Sequence, residues 1–239
     1  EEKKSIKSDE KRLLIDLYCE REDFEKAEQL LNSIPENVKD NILWLISSSK
    51  VKRLKGEIEK GKEILIYALG QITENTSYGE LFLLGTEMYE MKRYKEAASV
   101  LERITQKDIN TRLTRDLLFS FYYSGDYKSA INICRTIRGK YGILSPYAKL
   151  EGSIREYIGN FDEASRIYSD YGIKYPDDLE VKFRLMKMYF ILKQYDKVDE
   201  FLDSPPDFEK LSIDFGIELV LLMKERNRFV NAIDLMYEL

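Results

Sequence analysis

LFLLGTEMYEMKRYKEAASVL, residues 81–101, holds two short amphipathic segments hinged at Met91-Lys92-Arg93. Leu81, Leu84 and Met88, then Tyr94, Ala97, Ala98 and Leu101, recur at three- and four-residue spacing, the period of a helix with one buried face. Gly85 and Ala97 supply the small side chains that let two antiparallel helices approach closely. A helical hairpin of this kind cannot bury its apolar face alone, so the same arrangement should recur along the chain.

It does recur. The residues equivalent to Ala97 are Ala27, Gly61, Ala130, Ala164, Val198 and Ala232, at successive intervals of 34, 36, 33, 34, 34 and 34 residues. Three residues before each lies an aromatic or apolar residue: Phe24, Ile58, Tyr94, Tyr127, Phe161, Tyr195 and Phe229. Four residues after each lies another expected core residue: Leu31, Leu65, Leu101, Cys134, Tyr168, Leu202 and Met236.

With this period, and with phrases such as Gly125-Asp126-Tyr127-Lys128-Ser129-Ala130 and Gly159-Asn160-Phe161-Asp162-Glu163-Ala164, the chain resembles the tetratricopeptide repeat family. The resemblance covers nearly the whole sequence. It implies an all-α fold: an α-solenoid, a right-handed superhelix of antiparallel helix pairs, forming one domain over residues 1–239. The seven repeats fall at approximately 8–41, 42–77, 78–110, 111–144, 145–178, 179–212 and 213–239. Repeat two departs most, with Ser48-Ser49 where Leu84-Gly85 stand in repeat three, and with Gly61 in place of the usual alanine.

Punctuation along the chain agrees with these limits. Asp23 is placed to cap a second helix, and Pro35 ends the first repeat because proline cannot continue a helical hydrogen-bond ladder. Gln71 to Gly79 is polar and accounts for the interval of 36. Ser145-Pro146 reads as a cap followed by proline at the first helical position, and Pro176 and Pro205-Pro206 separate later repeats. No stretch reads as a strand. Leu235, Met236 and Leu239 leave an apolar end where a solenoid needs a polar outer face, which predicts either a longer parent protein or an assembly surface.

Composition narrows the function classes. The chain is 44% hydrophobic and 34% charged with 5 prolines, as suits a strongly helical protein. A net charge of −5 opposes non-specific nucleic-acid binding. No apolar run approaches the length needed to span a bilayer. The two cysteines, Cys19 and Cys134, fall in repeats one and four, so they are predicted to be unpaired thiols in a reducing compartment, and the chain is expected to be cytoplasmic.

Chemistry-bearing motifs are sparse. Histidine is absent, which removes the commonest general base and the commonest transition-metal ligand. With two separated cysteines a zinc site is not expected, and no cofactor is. Gly56-Glu57-Ile58-Glu59-Lys60-Gly61-Lys62 has the spacing of a phosphate-binding loop, but Glu63 follows where Ser or Thr would hold magnesium, and no strand precedes it. The repeat explains both glycines, one in a hairpin turn and one at the small packing position.

The first helices of stacked repeats line the inner face of a solenoid. By register that face carries Lys50 and Arg53, Phe82 and Tyr89, Arg115, Phe119 and Tyr122, then Phe183 and Phe190. Exposed aromatics of this kind mark partner sites. With Arg112, the three basic residues Lys50, Arg53 and Arg115 form a flank suited to an acidic segment. Some members of the family hold the carboxylate of a chaperone tail with lysines, an arginine and asparagines on successive first helices. This chain lacks that set, since Arg12 is followed by Asp16, Lys149 by Ser153 and Arg115 by Phe119.

The sequence therefore predicts a non-enzymatic protein-interaction scaffold that holds a peptide or helix in its concave groove, as part of a multiprotein complex. Its expected partners are proteins or peptides, a homo-oligomer being one case, with neither nucleic acid nor membrane. The alternatives are a regulatory or targeting segment of a larger enzyme, or a self-association module.

Overall fold

The computed structural model describes residues 8–105, 111–203 and 213–238, so the Pro205-Pro206 boundary and Leu239 lie outside the described residues. Among the described residues there are fourteen α-helices and no strand. Repeat one is α1 (Ser8–Glu20) and α2 (Phe24–Asn32), repeat two α3 (Ile42–Leu54) and α4 (Ile58–Gly70), and repeat three α5 (Tyr78–Glu90) and α6 (Tyr94–Thr105). Then come α7 (Thr111–Ser124) and α8 (Tyr127–Tyr141), α9 (Ser145–Tyr157) and α10 (Phe161–Lys174), and α11 (Leu179–Ile191) and α12 (Tyr195–Asp203). The seventh pair is α13 (Ile213–Glu225) and α14 (Phe229–Glu238). The chain divides into two compact units, Glu1–Ala130 and Ile131–Leu239.

The turns between paired helices carry the repeat in their backbone. Glu22, Gly56, Lys92, Gly125, Gly159, Lys193 and Asn227 all have φ between 58° and 83°, the left-handed region, and they follow one another at the same intervals as the small residues. At each turn the next residue's N–H reaches back over the hairpin, from Asp23 to the Tyr18 carbonyl through to Arg228 and Met223, at 2.8–2.9 Å. This is the helix-ending bond that satisfies an otherwise orphaned carbonyl. Glycine adopts this conformation without a Cβ clash, yet four of the seven turns do without it, so the turn is imposed by packing as well as by local preference.

Caps fix several starts. Asp23 accepts from the Lys26 N–H as expected. Ser77 and Glu80 form a reciprocal capping box at α5, which closes the long polar loop after repeat two. At α9 the helix begins one residue earlier than the sequence suggests: Leu144, in extended conformation, takes the cap position, and Ser145 is already helical with proline in the first turn.

Helices pack on their chain neighbours, and in the first unit first helices stack on first helices, α1 on α3 and α3 on α5. All seven small positions of the register are buried. In repeats three and five a first-helix glycine is matched to a large second-helix residue. A methyl added at Gly85 would lie 2.4 Å from Leu101, and one at Gly152 2.3 Å from the Tyr168 ring. Gly85 therefore makes room for Leu101 rather than for Ala97. The departure in repeat two has the same logic, because Met91 of the next repeat fills the space that an alanine methyl would take at Gly61. Gly56 lies in the turn and Gly61 inside α4, so neither belongs to a phosphate loop.

Candidate partner-binding surfaces

In the first unit, α1, α3, α5 and α7 together line a cleft of about 260 Å³. Its walls are mostly charged: Arg12 and Asp16, Lys50 and Arg53, Glu87 and Glu90. Lys50 and Arg53 do lie on this inner face, but they are not an open basic flank. Lys50 is 2.6 Å from Asp16, and Arg53 binds both oxygens of Glu87, at 2.8 and 3.1 Å. Burial pushes the Glu87 carboxyl above its ordinary range, and Arg53 opposes that only in part. Arg115 donates to the buried Asp116 from Nε and Nη2, at 3.1 and 2.9 Å. The sequence showed the cations of this face and Asp16, but not Glu87 or the pairing of either carboxylate with a cation, so a surface that reads as basic is locally balanced.

The expected aromatics of this unit separate into two places. Phe82 is half-buried beneath the Arg112 guanidinium, 5.7 Å from its ring centroid. Tyr89, Phe119 and Tyr122 instead join a cluster at the hairpin-turn end of repeats three and four. Tyr89 meets Tyr94 edge-on at 5.5 Å, Tyr94 lies 4.8 Å from Tyr123, and Phe119 stacks on Tyr123 at 5.9 Å. Tyr122 touches both Tyr123 and Tyr127. Centroid separations of this size suit attractive ring pairs. Tyr123 is 51% exposed and forms the open surface of the cluster. Sequence reasoning missed Tyr123 and took Tyr94 and Tyr127 for packing residues alone; the adjacent pair Tyr122-Tyr123, four residues after Phe119, was the available signal.

In the second unit Phe183 is not offered to a partner. It is 1% exposed and packs at 5.0 Å against Phe215 in an apolar cluster with Met186, Leu219 and Met223. Inward register identifies a helix face, and how far a neighbouring repeat overlaps that face decides burial. Phe190 remains half-buried, edge-on to Tyr195, and lines a small cleft of about 150 Å³ with Lys187, Glu218 and Leu221. A larger cleft of about 530 Å³ lies between α11 and α12, walled by Met186, Tyr189, Lys197 and Phe201. The Lys197 ammonium stands 4.5 Å from the Tyr189 centroid, a cation–π distance. These residues lie off the inward line, so register alone did not bring them together.

Two polar features of this unit were also missed. Glu151 and Arg155 are both buried, and Arg155 donates to Glu151 Oε1 from Nε and Nη2 at 3.1 and 2.7 Å. Arg138 adds a bond of 3.3 Å to the same oxygen, while Oε2 accepts none among the described residues. Beside this pair Cys134 is buried, and burial pushes its thiol up to about 12. Cys19 and Cys134 are both unbridged.

Asp178 is the second feature. It caps α11 through the Val181 N–H at 3.2 Å, accepts from Tyr171 Oη at 2.8 Å, and pairs with Lys149 at 2.6 Å. Burial raises its carboxyl, but these partners outweigh it and hold the group below 3.8. A depressed carboxylate contributes stability above its unfolded pKa and loses it as pH falls through the folded value. Asp178→Asn should therefore cost about 1–3 kcal/mol at neutral pH. In urea unfolding that difference should shrink as pH drops below 3.8; a constant difference would mean that the charge contributes nothing.

Tandem antiparallel hairpins with a small-to-large packing code and a left-handed turn in every repeat give this chain the tetratricopeptide-repeat fold. A tetratricopeptide repeat protein from Parabacteroides merdae superposes with a TM-score of 0.54 at 14% identity, over 96% of this chain and 91% of that one. YrrB, described as a TPR protein with an unusual peptide-binding site, gives 0.56 at 15% identity over 75% and 92%. PilF of Pseudomonas aeruginosa gives 0.50 at 14% identity over 97% of both chains. No protein-family model and no curated protein matches the sequence. Among the described residues no helix is long and apolar enough to cross a membrane, and no group of three or more potential ligands could hold a metal ion.

Proposed function

We propose that this chain is a non-catalytic scaffold that holds a peptide segment or helix of a partner protein, with the ring cluster around Tyr123 as its anchor point. The observation that carries this reading is the run Tyr89, Tyr94, Tyr123, Phe119 in continuous ring contact, with Tyr123 half exposed beside the charge-balanced first-helix face. Rigid aromatics lose little conformational freedom on binding and dominate interface energetics. The neighbouring pairs Lys50–Asp16 and Arg53–Glu87 offer hydrogen-bonding groups of both signs, which suits a polar backbone or a mixed sequence better than a strongly acidic one. The fold agrees with YrrB, whose own description is of a peptide-binding protein. The absence of histidine removes the commonest acid–base catalyst. The two unbridged, buried thiols suit a reducing compartment, and on that ground we place the chain in the cytoplasm.

Selection of random peptides displayed on phage against the chain tests this. Selected peptides should bind the Phe119→Ala/Tyr122→Ala/Tyr123→Ala variant at least ~30-fold more weakly, a loss of ~2 kcal/mol, with unchanged far-ultraviolet circular dichroism. Equal affinity for folded variant and parent would remove the cluster as the binding surface.

A further inference from the structure

The ring cluster of repeats three and four offers more than apolar surface. All of its rings but Phe119 are tyrosines: Tyr89, Tyr94, Tyr122, Tyr123 and Tyr127. Tyr94 joins Tyr89 to Tyr123, and Tyr122 joins Tyr123 to Tyr127, so the five form one continuous row. Tyr123 is exposed and the other four are half-buried, so every ring of the row reaches solvent. Packing alone would be served by phenylalanine.

Four of the hydroxyls are uncommitted. Those of Tyr89, Tyr94, Tyr122 and Tyr123 bond no group among the described residues, whereas the phenols of Tyr168 and Tyr171 in the second unit donate to Glu156 and Asp178. Burial first, then the neighbouring Tyr123 and Tyr94, then the carboxylates of Asp116 and Glu90, hold the Tyr89 phenol above its ordinary range. It is therefore a hydrogen donor at neutral pH. Glu90, which follows Tyr89, is exposed and makes no ion pair among the described residues. Arg53, Arg93 and Arg115 are engaged instead with Glu87, Glu96 and Asp116.

We propose that the occupant of this row is a proline-rich segment in polyproline II conformation, with a basic residue beside its prolines, and not a helix. This rests on the reading above that the cluster is the anchor point, and it names what is anchored. A polyproline II segment has no internal hydrogen bonds, so all its carbonyls can accept from the phenol O–H groups. A helix uses its carbonyls internally except in the last turn, and would leave most of these donors unmet. Proline rings pack on aromatic side chains, and the segment is already ordered before it binds. The unpaired Glu90 carboxylate at the Tyr89 end of the row supplies the complement to a lysine or arginine.

Fluorescence anisotropy with three labelled peptides tests this: a lysine joined to a run of prolines, the same run without lysine, and an alanine-rich helical peptide of equal length with one lysine. The lysine–proline peptide should bind at least ~10-fold more tightly than the helical one, since only it presents open carbonyls. Tyr94→Phe/Tyr123→Phe keeps both rings and should weaken that binding ~5-fold or more, the effect of two lost hydrogen bonds, with unchanged circular dichroism. Glu90→Gln should weaken the lysine–proline peptide ~2–5-fold and leave the uncharged proline run unaffected. No saturation by either proline peptide up to ~1 mM, or a helical peptide bound as tightly, overturns the proposal. Parental affinity in the double phenylalanine variant overturns the part played by the hydroxyls, and parental affinity in Glu90→Gln overturns the basic residue. Phage-selected peptides that depend on the cluster yet lack proline overturn this inference while the anchor reading stands. Selected peptides that ignore the cluster overturn both.

Discussion

Arg155→Met should lower stability by about 3–5 kcal/mol, and adding Glu151→Leu to it should recover most of that loss. In repeats three, four and seven the register mates of Glu151 are Leu84, Leu117 and Leu219, and those of Arg155 are Met88, Phe121 and Met223, all buried. Repeat five thus carries an ion pair where its neighbours carry a hydrocarbon pair. Two charges removed from water are tolerated because Nε and Nη2 of Arg155 both reach Oε1 of Glu151. Removing the guanidinium leaves a buried carboxylate with only the 3.3 Å bond from Arg138, and an uncompensated charge is costly in a low-dielectric interior. Removing both partners leaves no such charge, and Arg138, whose side chain is 32% exposed, can turn to solvent. Urea unfolding of the parent, the single variant and the double variant measures the cycle. A double variant as unstable as the single one would contradict this account.

Gly152→Ala should also be destabilising, by about 1–3 kcal/mol, although alanine is the better helix former. The added methyl would lie 2.3 Å from Cε1 of Tyr168. That ring cannot retreat easily, because it is fully buried and its hydroxyl donates to Glu156 at 3.1 Å. Gly139 and Gly172 are the contrasting cases: both lie in helices, and nothing stands within 4 Å of a methyl added there. Alanine at either should be neutral or stabilising, by up to ~1 kcal/mol. If thermal melts rank Gly152→Ala beside those two, close helix approach at this position is not what the glycine provides.

The fold was legible because a helical hairpin repeated seven times writes itself as a period. The triples Tyr94-Ala97-Leu101 and Phe161-Ala164-Tyr168 depend on local spacing and on small-to-large contact within one hairpin, and both are visible in a single sequence. The candidate surfaces were less legible because they depend on what lies across from each residue. Register placed Lys50, Arg53 and Asp16 on the inner face, but not Glu87, and it did not show that Lys50 pairs with Asp16 or Arg53 with Glu87. It placed Phe183 inward, where overlap with α13 buries it, and it passed over Tyr123, which becomes the open ring of the cluster only once α5, α6 and α7 are packed.

The sequence by itself determined the all-α repeat, its seven units, the positions of the small packing residues and the lack of histidine chemistry. Only the tertiary structure decided which cations are already paired, which aromatics are accessible, and that a buried Glu151–Arg155 pair replaces hydrocarbon in repeat five. Helical periodicity is set by bonds between residues three and four apart, whereas the pairing of Lys50 with Asp16 and of Arg53 with Glu87 is set by contacts between residues 34 apart.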